Sequence, residues 1–154
     1  VNDIGCGYGG FLKRLKCNFH NDRFSYAGFD LAKGPIEYCE RKYAKKGAYF
    51  YSSGTPSEMA DYSVMSGTFN YAPDLTVNAW RDYLFTSLNS IWNLTRRSMI
   101  FNLMISEEDK ITSQSISYIR KETILNFCQS NFGATYEHFS SKLPREITFC
   151  VSKI

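Results

Sequence analysis

Residues 3–10 read Asp-Ile-Gly-Cys-Gly-Tyr-Gly-Gly, and this run constrains the chain more than any other. It follows a short apolar stretch, Val1–Ile4, and precedes Phe11-Leu12-Lys13-Arg14-Leu15, which fits a helix with one apolar face. A strand that breaks into glycines and resumes as a helix is the context in which a glycine pattern denotes a nucleotide site. Glycines let the backbone approach a ligand and take up positive φ, and a helix N-terminus presents free N–H groups.

The rest of the chain alternates short apolar runs with longer amphipathic stretches, the pattern of βαβ units and a largely parallel sheet. Strands are expected at Ser25–Asp30, Ala48–Ser52, Tyr62–Ser66, Ser98–Ile105, Ala134–Phe139 and Glu146–Lys153. Helices are expected at Pro35–Lys46, with its Pro in the first turn, and at Lys121–Asn131. The longest spans roughly Thr76 to Arg96, where Val77, Trp80, Leu84, Leu88, Ile91, Trp92 and Thr95 recur at helical spacing behind Thr76 as N-cap. Ser106–Ser117 reads as a polar loop. The connection between the last two strands is too short for a helix, so they should pair antiparallel. At 154 residues, 1–154 reads as one domain. Val1 falls inside the first strand, so a segment upstream of it is expected.

Two cofactors compete for the glycine loop. Gly5, Gly7 and Gly10 satisfy G-x-G-x-x-G, and Asp30 lies about twenty residues on, as a dinucleotide fold requires. The same segment satisfies D-x-G-x-G-x-G through Asp3, Gly5, Gly7 and Gly9. A carboxylate at position 3 would be repelled by a pyrophosphate but attracted by the ammonium and sulfonium of S-adenosylmethionine. Charge therefore favours the methyl donor.

With Asp3–Gly9, Asp30 after the second strand and Asp61-Tyr62-Ser63-Val64-Met65-Ser66-Gly67 at the fourth, the sequence resembles the class I S-adenosylmethionine-dependent methyltransferases over nearly its whole length. The resemblance implies an α/β, Rossmann-like fold: a seven-stranded, mostly parallel sheet with an antiparallel C-terminal strand and helices on both faces. It implies that Gly5, Cys6, Gly7 and Gly9 pack against the donor, with Asp3 near the methionine end. Asp30 would take both ribose hydroxyls, Leu31 would cover the adenine, and Gly54 and Thr55 would border its edge. Ser66, Gly67 and Thr68 would hold the methionine through main-chain groups. The turn Ser53-Gly54-Thr55 departs from the family, which often has an acidic residue there.

Methyl transfer to an activated carbon needs proximity more than a fixed catalytic set, and the sequence carries no catalytic signature. The Asn/Asp-Pro-Pro-Tyr segment of enzymes that methylate nucleic-acid bases is replaced by Gly67-Thr68-Phe69-Asn70-Tyr71. Phe69, Asn70 and Tyr71 are the candidates for shaping an acceptor pocket. Weaker candidates are Asn102, the acidic loop Glu107-Glu108-Asp109, Tyr118, His20 and His138.

Net charge is only +3, and the clusters Lys13–Arg14–Lys16 and Arg41–Lys42 with Lys45–Lys46 read as solvated helix faces, which argues against nucleic acid as a partner. The five cysteines, Cys6, Cys17, Cys39, Cys128 and Cys150, are odd in number and form no C-x-x-C pair. They indicate no metal site and no disulfide framework. No apolar run approaches the roughly 20 residues of a membrane span, and a cytoplasmic setting is expected. The activity expected is methyl transfer from S-adenosylmethionine to a small molecule or sugar. The alternatives are a non-catalytic S-adenosylmethionine-binding module and an NAD-dependent oxidoreductase.

Overall fold

The computed structural model describes residues 1–19, 24–43 and 47–153. In chain order the elements are β1 (Asn2–Ile4), α1 (Gly10–Asn18), β2 (Tyr26–Asp30), α2 (Lys33–Tyr43), β3 (Ala48–Ser52), β4 (Ala60–Met65), α3 (Val77–Asn93) and β5 (Thr95–Met104). A two-residue hairpin, β6 (Lys110–Ile111) and β7 (Ser117–Tyr118), leads into α4 (Lys121–Asn131), β8 (Thr135–Phe139) and β9 (Glu146–Ser152).

Seven strands form one sheet in the order β3-β2-β1-β4-β5-β9-β8. β1 to β5 run parallel, while β9 is antiparallel to both β5 and β8, so one strand opposes six. This is the Rossmann-like sheet expected from the sequence. Among the described residues no helix is long and apolar enough to cross a membrane.

Strand alternation divides the core in two. Tyr26, Ala48 and Phe50 face α1 and α2, packing on Leu12, Ile36, Cys39 and Tyr43. Phe29, Met99, Phe101, Phe149 and Val151 face the other way, onto Trp80, Leu84, Leu88 and Ile91 of α3 and Ile124 and Cys128 of α4. Helices thus cover both faces, each pair over a different half of the sheet. The link from β3 to β4 contains no helix, so Tyr49 and Tyr51 on the α3 side of β3 stay 62% and 43% exposed.

Several boundaries differ from the sequence expectation. Thr76 does cap α3, its hydroxyl accepting from the Ala79 amide at 3.2 Å, but the helix stops at Asn93 and Thr95 opens β5. The fully buried Thr95 hydroxyl donates to the Ile91 carbonyl at 2.7 Å and meets the equally buried Ser63 hydroxyl of β4 at 2.7 Å. Local periodicity carried Thr95 onto the helix face, and cross-strand pairing overrides it. β4 starts at Ala60 rather than Tyr62, and the supposed loop 106–117 contains β6 and the start of β7. Residues 44–46, expected to finish α2 and including Lys45 and Lys46, lie outside the described residues, as does His20.

Asp3 is the unusual core residue. It lies in the centre of the sheet, 2% exposed, and its carboxylate accepts a hydrogen bond from the Tyr26 hydroxyl on the α1–α2 side. Burial, partly offset by that hydrogen bond, pushes its carboxyl up to about 6.

Two predictions follow from these buried polar groups. Thr95→Val leaves the Ser63 hydroxyl without its partner in a dry interior, and an unmade bond there costs about 1–3 kcal/mol; a lowered urea midpoint at unchanged slope is the expected result. For Asp3, the folded pKa lies above the unfolded value of about 3.9. Its contribution is therefore complete below that unfolded value and is lost as pH rises through about 6. Thermal melts between pH 4.5 and 8 should show wild type losing stability relative to Asp3→Asn as pH increases. A relative loss on acidification would contradict this account.

Candidate functional site

The C-terminal ends of β1, β2, β3 and β4 meet at one edge of the sheet, where ligands of open α/β folds gather. A cleft of about 570 Å³ opens there. Its polar floor is made by Gly5, Asp30, Ser53, Ser66, Gly67 and Thr68. Its apolar wall is Leu31 on one side and Tyr71, Pro73, Leu75 and Tyr83 on the other.

The glycine loop is fastened to β2. The Phe29 carbonyl accepts both the Gly5 and Cys6 amides, at 2.7 and 3.0 Å. The Asp30 carboxylate then accepts the Gly7 amide through Oδ2 at 2.9 Å and the Ala32 amide through Oδ1 at 2.8 Å. Both oxygens are held, and each keeps acceptor capacity toward the cleft.

The glycines serve different ends. Gly5, Gly7 and Gly9 all have positive φ, at 74°, 51° and 78°. A Cβ on Gly5 would fall 2.5 Å from Oγ1 of Thr68, whose hydroxyl donates to the Ile4 carbonyl at 2.6 Å. A Cβ on Gly9, the N-cap of α1, would fall 2.9 Å from the Tyr43 ring. These two glycines permit close packing. Gly7 and Gly67 meet nothing within 4 Å and leave open space in front of the backbone.

Of the positions singled out in the sequence, Gly5, Asp30, Leu31, Gly54, Ser66, Gly67 and Tyr71 line the cleft. Leu31 packs on Gly54, where a Cβ would fall 3.3 Å from Leu31 Cδ2. Gly7 borders the cleft through its bond to Asp30, and Gly9 packs under α1. Thr55 is exposed and closes a turn with Ser53, its amide donating to the Ser53 hydroxyl at 3.2 Å.

Four of the expected residues are turned inward and do not line the cleft. Asp3 points into the α1–α2 core toward Tyr26, although its carboxylate is near enough to Asp30 for the two charges to interact. Cys6 is 6% exposed and its thiol is pushed up to about 12 by burial. Phe69 is 3% exposed, and its carbonyl accepts from Trp80 Nε1 at 3.0 Å and from the Ser117 hydroxyl at 2.7 Å. Asn70 turns inward, its side-chain oxygen accepting the Met104 amide at 3.1 Å. Phe69 and Asn70 therefore hold the turn after β4 in place and do not line the cleft.

The remaining candidates are structural or remote. Asn102 accepts the Gly67 amide at 2.6 Å. Asp109 pairs with Arg81 at 3.0 Å and accepts the Arg120 amide at 2.8 Å, before α4. Glu107 and Glu108 are exposed, Tyr118 lies under Lys110 at 5.9 Å, and His138 is exposed on the edge strand β8.

Sequence reasoning missed Pro73, Leu75 and Tyr83. Tyr83 sits three residues after Trp80, beside the core position Leu84, so an aromatic at the edge of the α3 stripe was the available signal. Leu75 and Pro73 are carried by a loop bound to the hairpin, through a Tyr71–Ile116 bridge and the Ala72 amide donating to the Ser115 carbonyl at 2.8 Å. Nothing local in the sequence announces that pairing.

No protein-family model matches the chain. Over 111 residues it is 30% identical to Rv1506c of Mycobacterium tuberculosis, a protein provisionally named a methyltransferase, covering 71% of this chain and 65% of that relative. The chain thus spans just under two thirds of the relative's length. The magnesium protoporphyrin IX methyltransferase of Synechocystis PCC 6803, solved with S-adenosylmethionine bound, superposes with a TM-score of 0.70 at 12% identity, over 100% of this chain and 69% of that one. The O-methyltransferase domain of StiE gives a TM-score of 0.68 at 14% identity, over 99% of this chain and 67% of that one. At such identities the structural likeness establishes the fold and no more. Together these likenesses show the fold that the S-adenosylmethionine-dependent methyltransferases of known structure share, and a likeness in sequence to one protein provisionally named a methyltransferase.

Proposed function

We propose that the chain moves a methyl group from S-adenosylmethionine to a small-molecule or sugar acceptor. The observation that carries this reading is the Asp30 carboxylate at the cleft floor, fixed by the Gly7 and Ala32 amides with acceptor capacity on both oxygens. Two neighbouring ribose hydroxyls are two donors, and they match it. When bound, S-adenosylmethionine supplies a methyl carbon already activated by its positively charged sulfur.

In this reading Leu31 and Gly54 flank the adenine, Gly7 lets the donor approach the loop beside Gly5, and Ser66 and Gly67 border the methionine end. Tyr71 and Tyr83, 63% and 47% exposed, offer rings for an acceptor to stack on at the mouth. Among the described residues that line the cleft, Asp30 is the one carboxylate, and none is His, Cys or Lys. The cleft is therefore built for positioning, with the transferred carbon leaving sulfur as it bonds the acceptor atom. The low net charge is the reason for preferring a small acceptor over nucleic acid.

The sheet order weighs against the dinucleotide reading. Dinucleotide-binding sheets continue in the order 3-2-1-4-5-6, whereas here antiparallel β9 is inserted beside β5.

Calorimetric titration of S-adenosylhomocysteine and then NAD into wild type and Asp30→Ala tests the donor site. Expected are S-adenosylhomocysteine binding that the substitution weakens by about tenfold or more, as for loss of a hydrogen-bonding charged group, and no heat with NAD. Binding of NAD alone would assign the cleft to a dinucleotide. Transfer of labelled methyl from S-adenosylmethionine to a panel of small hydroxylated and sugar acceptors then separates enzyme from binder; absence of transfer across the panel would favour the binding module.

A further inference from the structure

The geometry points to Asn102 as a positioning residue for the methionine end of the donor, an inference that rests on the methyl-donor reading of the cleft. Asn102 lies near the C-terminal end of β5, between Phe101 and Leu103, whose side chains are buried toward α3 and α4. Strand alternation turns Asn102 to the opposite face, where its side-chain oxygen accepts the Gly67 amide at 2.6 Å. The bond crosses from one strand end to the next, between residues far apart in sequence.

Gly67 has φ of 74° and nothing within 4 Å of where a Cβ would stand, so no side chain of its own holds the peptide, while its carbonyl accepts the Asn70 amide at 3.3 Å. The Ser66–Gly67 bond is trans and planar, and the carbonyl on one side of such a peptide points opposite to the N–H on the other. With the Gly67 N–H pinned toward β5, the Ser66 carbonyl is turned toward the β1 side, where Ser66, Gly67 and Gly5 border the cleft. The strand ends run laterally from β3 (Ser53, Gly54) through β2 (Asp30) and β1 (Gly5) to β4 (Ser66). If Asp30 holds the ribose and Leu31 and Gly54 the adenine, the amino-acid end of the donor lies over β1 and β4. A carbonyl aimed there is an acceptor for its ammonium group.

Other side chains already hold the same turn: Thr68 donates to the Ile4 carbonyl at 2.6 Å, and Asn70 accepts the Met104 amide at 3.1 Å. The turn therefore keeps its path without Asn102, and what is lost is the orientation of one peptide plane. This gives the assignment a signature that loss of fold would not produce.

The test compares two probes on the same protein: S-adenosylhomocysteine, and 5′-methylthioadenosine, which shares the adenosine and thioether but lacks the amino-acid end. In Asn102→Ala, S-adenosylhomocysteine should bind about tenfold more weakly, as for one lost hydrogen bond, while methylthioadenosine affinity stays within about twofold. Asn102→Ser, too short to reach the Gly67 amide, should behave alike and serves if the alanine variant does not fold. Equal losses for both probes, or no loss for either, would overturn the role of Asn102 and leave the donor site standing. Failure of wild type to bind S-adenosylhomocysteine would overturn the donor reading and this inference with it.

Discussion

One carboxylate organises the site. Asp30 closes β2, and by accepting the Gly7 and Ala32 amides it ties the loop after β1 to the start of α2. Without that clamp the loop's backbone polar groups would need other partners, and the glycines that make the loop adaptable would also make it loose. The clamp uses part of the carboxylate's acceptor capacity and leaves the rest facing the cleft. One side chain thus serves both the architecture and the proposed chemistry.

The turn after β4 is built by the same economy of means. Thr68 reaches back to β1, Asn70 across to the end of β5, Asn102 forward from β5, and Trp80 and Ser117 both bond the Phe69 carbonyl. The turn has little regular structure of its own. Its shape is imposed by side chains from elements on every side, which is how a loop holds a fixed surface beside a ligand.

That distinction explains what was legible in the sequence. The sheet, its antiparallel last strand and the helix positions followed from periodicity and turn lengths, because each depends on residues close together in the chain. Gly5, Asp30, Leu31, Gly54, Ser66 and Gly67 could be named because the family resemblance points to them, and their places at strand ends put them at the cleft. Which way a side chain turns at such an end is a tertiary matter. Asp3 lies within the motif yet points into the α1–α2 core toward Tyr26. Phe69 and Asn70 follow β4 as an acceptor wall would, yet they anchor the turn. Pro73 and Leu75 reach the cleft because the loop before α3 pairs with a short hairpin near residue 116, and no local pattern reports a pairing across that distance.

The place of β1 also bears on how the molecule forms. This three-residue strand lies between β2 and β4, with Asn2 opposite Ala27 on one side and Ser63 on the other. Its second partner is distant along the chain, so the pairing carries a loop-closure cost that local elements avoid. The cleft draws on the ends of all these strands and does not exist until β1 is seated between its neighbours. Its appearance is therefore coupled to completion of the sheet, and a ligand that binds there stabilises the whole parallel core by mass action instead of tightening one loop.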